Sequence, residues 1–181
     1  MNTMSHRPAN DEAAEYFWNY IDQVPGDNVV AALEAQTEAF AAMMERVSEE
    51  TSHHRYEPGK WSVREALGHV NDTERVFAYR ALWFARGLSG PLPSMDQDVC
   101  VAHGGSEAVP MAQLAAEFRA VRAATMAMVR ALPAEAWDRR GESGRSAESS
   151  GSTLSVRAAM WIICGHVEHH TRLFREKYGL L

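Results

Sequence analysis

With 181 residues, nearly half of them apolar, the chain is long enough for one continuous hydrophobic core and gives no reason to divide it. A formal net charge of -6 argues against a nucleic-acid groove, because phosphate binding needs clustered Lys and Arg, and here acidic residues outnumber them. The longest apolar stretch, around Ala158 to Cys164, falls well below the roughly 18 residues that suggest a membrane span. Only Cys100 and Cys164 could form a disulfide and no charged-then-apolar leader opens the chain at Met1, so the expected setting is the reducing cytoplasm.

Nearly every periodic segment reads as helix, and few alternating β-branched runs signal strands, so the expected class is all-α, in one domain over 1–181. Residues 1–10 read as a frayed terminus. A short helix over about Asp11 to Gln23 ends at Pro25-Gly26. The first long helix follows from about Asn28 to Glu50, through Leu33, Gln36, Phe40 and Met43-Met44, and Pro58-Gly59 closes the linker after it. In Ser62-Val63-Arg64-Glu65 a Ser and a Glu can satisfy each other's free backbone donors, so a second long helix starts there and runs to about Arg86. Leu88 to Pro110 is a long irregular connection, of the kind that shapes sites. The third long helix spans about Met111 to Ala131. Arg139 to Ser152, rich in Gly and Ser, reads as a mobile polar loop, and the fourth long helix runs from about Thr153 to Tyr178.

Four long helices preceded by a short one predict a four-helix bundle, in which facing helices supply ligands to the core. At about 1.5 Å per residue, His69 lies roughly 10 Å from the start of its helix, and His166 and His170 roughly 12 to 20 Å from the end of theirs. These depths match if helices two and four are antiparallel. That requires an up-down-down-up order with a long crossover between helices two and three, and the connection, about 70 Å when extended, can reach.

In His166-Val167-Glu168-His169-His170 the outer pair sits at i and i+4, so both rings project from one helix face and can share an ion. A third nitrogen from His69 leaves one position of a tetrahedral ion free for water or substrate, as in catalytic zinc sites. Ala159, Ile162, Ile163, Leu173 and Phe174 share the face of the pair, so the imidazoles point inward, where an unpaired polar group is costly. Half-buried histidines hydrogen-bonded within the bundle are the alternative. His169, about 100° away around the helix, belongs at the rim, while His53, His54 and His103 fall in linkers and His6 in the terminus.

Glu65 and Asp72 flank His69 at i-4 and i+3, placed to orient its ring or act as general base, though a solvated helix face explains them nearly as well. Arg80, three turns along the same face, suits either a substrate carboxylate or a salt bridge, and Arg119 and Arg122 share that ambiguity. Cys164 reads as a packed, inert thiol, and Cys100 lies in the crossover, within reach of the site.

The stretch from Tyr56-Glu57-Pro58-Gly59-Lys60-Trp61 through Gly68-His69-Val70-Asn71-Asp72 to Arg86-Gly87, with the closing Gly165-His166-Val167-Glu168-His169-His170, resembles the DinB-like (damage-inducible B) superfamily. The resemblance implies a commonly dimeric four-helix bundle that holds a divalent metal through the histidines at positions 69, 166 and 170. It also implies an activity drawn from several: some relatives activate a low-molecular-weight thiol such as bacillithiol, mycothiol or glutathione, and others are assigned as isomerases or hydrolases. Where many relatives have an aromatic residue in the crossover, this chain has Cys100 after Asp96-Gln97-Asp98.

The leading expectation is a metal-dependent enzyme, a thiol S-transferase acting on a small-molecule substrate, with one divalent ion (zinc or nickel), a low-molecular-weight thiol cosubstrate and a homodimeric assembly. The alternatives are a metal-dependent hydrolase and a non-enzymatic metal- or ligand-binding protein of the stress response.

Overall fold

The computed structural model describes residues 5–145 and 150–180. After a 3-10 turn at Glu15–Phe17 come α1 (Trp18–Ile21), the long α2 (Val29–Glu45) and a single turn, α3 (Glu49–Ser52). The second long helix is α4 (Val63–Ala85). The crossover contains β1 (Leu92–Pro93), α5 (Gln97–His103) and a 3-10 turn at Ser106–Ala108. It leads into α6 (Met111–Arg130), the strands β2 (Arg140–Arg145) and β3 (Ser150–Ser155), and finally α7 (Val156–Glu176).

Three boundaries differ from the sequence reading. The opening helix is regular only over Glu15–Ile21. The first long helix stops at Glu45 because Ser48 starts a new turn, its hydroxyl accepting from the Thr51 amide at 3.1 Å. The largest difference is in Arg139 to Ser152, where the described residues form an antiparallel ribbon (β2 with β3), joined edgewise by β1 running parallel to β2. Neither strand has an apolar alternation, so what holds the ribbon comes from afar. The Glu142 amide donates to Ser89 at 2.8 Å, the Ser155 amide donates to Glu12 at 2.9 Å, and the ring of Phe84 lies where a Cβ on Gly141 would come within 2.0 Å of it. Residues 146–149, the tip of that expected loop, lie outside the described residues.

Cross-helix pairs fix the bundle's directions. Asn71 reaches Leu114 and Glu74 reaches Arg122, so α4 and α6 run parallel. Arg130 meets Glu34 and Arg119 meets Glu45, so α2 and α6 are antiparallel. The Tyr178 hydroxyl, just past α7, donates to the Trp61 carbonyl just before α4 at 2.7 Å, so those two helices are antiparallel as well. The order is up-down-down-up, as the histidine depths required.

The apolar interior has two parts. Leu33, Phe77, Phe84, Met126 and Trp161 belong to one, and Phe40, Leu67, Val70, Phe118 and Phe174 to the other. On each long helix a buried polar residue falls between them: Gln36 on α2, Glu74 on α4, Arg122 on α6 and His166 on α7. The bundle therefore carries a polar layer at mid-height. No helix among the described residues is long and apolar enough to cross a membrane.

Candidate metal centre

The N-terminal turn of α4 is held by Ser62, which accepts from the Glu65 amide at 3.2 Å, while the Glu65 carboxylate accepts from the Ser62 amide at 2.8 Å. One turn on, Gly68 lets the crossover close over the helix, since a Cβ there would lie 2.1 Å from the Ser106 hydroxyl. His69 follows, turned into the bundle. On α7, Gly165 plays the corresponding part: a Cβ would lie 2.1 Å from the Tyr20 carbonyl, so glycine allows α1 to press against the turn that carries His166.

All three predicted histidines come together. His69, His166 and His170 are each about 95% buried, and one ring nitrogen from each lies within 4.8 Å of the others. His69 Nε2 and His166 Nε2 are 3.0 Å apart. Trp61 leans on the His69 ring at 4.8 Å between centroids, and Tyr20 sets its edge against His166 at 5.4 Å, so aromatic walls fix both orientations. Burial pushes the His69 pKa down to about 4 and those of His166 and His170 well below the usual imidazole value, with repulsion from neighbouring histidines, His169 among them, adding to the shift. All three are neutral at pH 7, the form that donates a lone pair to a metal.

This donor set fits a divalent cation. Tetrahedral sites with metal–nitrogen bonds of about 2.0–2.1 Å need ligand nitrogens a little over 3 Å apart, which the observed cluster approximates. The cluster is also incomplete without a further partner, because His170 Nδ1 is buried and has no hydrogen-bond partner. Leaving such a group unmet costs about 1–3 kcal/mol.

The flanking residues sort differently. The Glu65 carboxylate is occupied by the helix cap and by Arg55, and Asp72 pairs with Arg75 at 3.3 Å on a half-exposed face. Neither hydrogen-bonds His69 among the described residues. The Thr73 hydroxyl, one turn along, lies 3.5 Å from both ring nitrogens of His69. Arg119 pairs with Glu38 and Glu45, and Arg122 is a structural centre, bonded bidentately to Glu74 at 2.8 and 2.9 Å. Cys164 is fully buried, its pKa pushed up to about 12 by that burial, as an inert thiol should be. Cys100 sits on α5 and lines neither cavity at the cluster. His169 stands at the rim with its edge to Tyr20, while His53 pairs with Glu107 and His103 caps its own helix.

Two cavities meet at the cluster. The first, about 250 Å³, reaches His69 and His166 between walls that include Phe17, Phe77 and Ile162, with Arg80 also lining it. The second, about 430 Å³ and more polar, reaches His69 and His170 and is lined by Lys60, Asp98 and Tyr178. Tyr16, Tyr20 and Gln97 border both. Sequence reasoning missed Tyr20, Thr73 and Trp61 as site walls. Only the spacing of Thr73, one turn from His69, could have indicated any of them.

The profile of the DinB superfamily matches residues 32–174. Among solved structures, YfiT from Bacillus subtilis, described as a probable metal-dependent hydrolase with an unusual four-helix bundle topology, superposes with a TM-score of 0.65 at 16% identity. The match covers 96% of this chain and 97% of that one. A mycothiol-dependent maleylpyruvate isomerase superposes with a TM-score of 0.67 at 13% identity, over 84% of this chain and 60% of the longer isomerase. No curated protein sequence matches the chain.

Proposed function

This chain belongs to the DinB superfamily, and on that premise we propose that it is a metal-dependent transferase, which joins a low-molecular-weight thiol to a small electrophilic substrate. The observation that carries the proposal is the meeting of two cavities at three neutral, converging imidazoles. Hydrolysis needs one organic reactant and water, whereas a transfer needs room for two. A polar chamber against His170 and an apolar one against His166 provide that room.

His69, His166 and His170 would hold a divalent ion, with zinc and nickel the candidates, and it would supply a Lewis acid able to keep a thiol deprotonated at neutral pH. The chain does the rest. Trp61 and Tyr20 hold the rings and keep bulk water from them, and Lys60 and the tyrosines of the larger chamber offer a thiol cosubstrate polar contacts. The likeness in fold to an isomerase described as mycothiol-dependent supports this reading.

The test is to load the protein with zinc or nickel and mix it with bacillithiol, mycothiol or glutathione and a generic electrophile. Consumption of both reactants that needs the metal, and falls to background in His166→Ala, is the expected result. Turnover of an activated ester without any thiol would replace this reading with a hydrolase.

A further inference from the structure

Four arginines are buried among the described residues: Arg64, Arg80, Arg122 and Arg157. Three of them have a carboxylate. Arg64 meets Glu49 at 2.6 Å, Arg122 meets Glu74 at 2.8 Å and Arg157 meets Glu12 at 2.8 Å. Arg80 has none among the described residues. Its single hydrogen bond among the described residues runs from Nη2 to the Pro93 carbonyl at 2.8 Å, and its guanidinium lies over the Phe77 ring at 4.8 Å. A buried cation without a counter-charge is unfavourable, and burial lowers the Arg80 pKa accordingly.

Arg80 is also the one of the four that lines the smaller cavity at the histidines. His69, Thr73, Phe77 and Arg80 follow one another at intervals of four, four and three residues, so they form a single stripe along α4, and all four border that cavity. The two ends of the stripe are about 16 Å apart at the backbone, and an arginine side chain leans back toward the start of its helix, here toward His69. Between the ends, Phe77, Phe17 and Ile162 supply apolar walls.

We propose that Arg80 is an anion anchor, and that the smaller cavity takes a substrate with an apolar body and a carboxylate, the acid on Arg80 and the opposite end at His69 and His166. The guanidinium has a planar fork of donors of which one nitrogen alone meets an acceptor among the described residues, and a carboxylate matches that fork. Phe77 holds the fork in plane from below, and Pro93 fixes it from the crossover. This deepens the thiol-transfer reading by naming the class of its electrophile, and in that respect rests on it.

The experiment uses metal-stripped protein, so that a carboxylate cannot bind through an ion and the outcome is independent of whether thiol transfer occurs. Calorimetric titration with 3-phenylpropionate and with its neutral amide is expected to give at least about tenfold tighter binding of the acid to the wild type, the discrimination expected of a charged, bidentate contact. Arg80→Gln should bring the two affinities together, while Arg130→Gln, which removes an exposed arginine paired with Glu34 away from the cavity, should keep them apart. Wild-type protein without a preference for the acid, or an Arg80→Gln protein that keeps it, overturns the proposal. Should Arg80→Gln fail to fold, phenylglyoxal labelling of the wild type decides: protection of Arg80 by the acid and not by the amide supports the anchor, and equal labelling in both overturns it.

Discussion

The mid-height layer of the bundle holds two buried polar clusters that share helices α4 and α7 and differ in one respect. Around Arg122 every partner is supplied from within: Glu74 takes two of its donors, the Gln36 side-chain carbonyl accepts from both terminal nitrogens at 3.2 Å, and Leu33 accepts another at 3.1 Å. Gln36 then passes the connection on, donating to Glu168 at 2.6 Å and to the Cys164 carbonyl at 3.0 Å, which ties α7 to the rest. Around the histidines, three neutral rings face one another, one nitrogen is left over, and two cavities open onto them. The first cluster uses polarity to fix the register of four helices. The second leaves polarity unspent where a ligand can use it, and depends on the first to hold α7 in place.

Breaking the satisfied cluster should have the largest effect. Glu74→Ala leaves Arg122 buried without its counter-charge, and urea denaturation should show a loss of about 3–5 kcal/mol. A loss below about 1 kcal/mol would mean that the pair contributes little to the layer.

Acid should act on the other cluster. An unfolded histidine takes up a proton near pH 6.5, whereas His69 in the folded chain resists until about pH 4, so stability is full above 6.5 and declines as pH falls through that window. For metal-free protein, the shift at His69 alone predicts a decline of roughly 2 kcal/mol between pH 7.5 and pH 5. Zinc should suppress it by competing with the proton. Chemical denaturation at the two pH values, with and without zinc, measures both, and an unchanged midpoint would contradict the burial of the rings.

Gly165→Ala probes the contact between the site and α1. Its methyl group collides with the Tyr20 carbonyl, so a cost of about 1–3 kcal/mol is expected, with faster amide exchange confined to the segment around Trp18–Ile21. Exchange that rises evenly over the bundle would place the strain elsewhere. The mildest change is Glu65→Ala, which removes one half of the helix cap, expected to lower stability by about 1 kcal/mol while leaving zinc affinity as it was. A large fall in zinc affinity would instead give Glu65 a part in holding His69.

The sequence carried those features that depend on local spacing. The capping box at Ser62 and Glu65 is a three-residue relation, and the structure forms it as read. The i, i+4 pair on α7 is another, and with the depth of His69 it was enough to require antiparallel α4 and α7 and thus the long crossover. The ribbon of β2 and β3 was unreadable for the opposite reason. Its strands are polar and rich in Gly and Ser, and their order comes from Ser89, Glu12 and Phe84, none of which is near in sequence.

The arginines make the same division most clearly. Arg80 and Arg122 look alike along the chain, each a cation set among apolar neighbours on a long helix. Helical periodicity put Arg80 on the face of His69 and left the partners of both open, because the direction of a side chain follows from its place in the 3.6-residue repeat but its contacts do not. Which of them would find a carboxylate was decided only by packing. Glu74 and Arg122 meet because α4 and α6 run parallel at that depth, while Arg80 ends against a backbone carbonyl of the crossover, at the wall of a cavity. Direction is a local property of the sequence, and partnership across a bundle is a property of the whole fold.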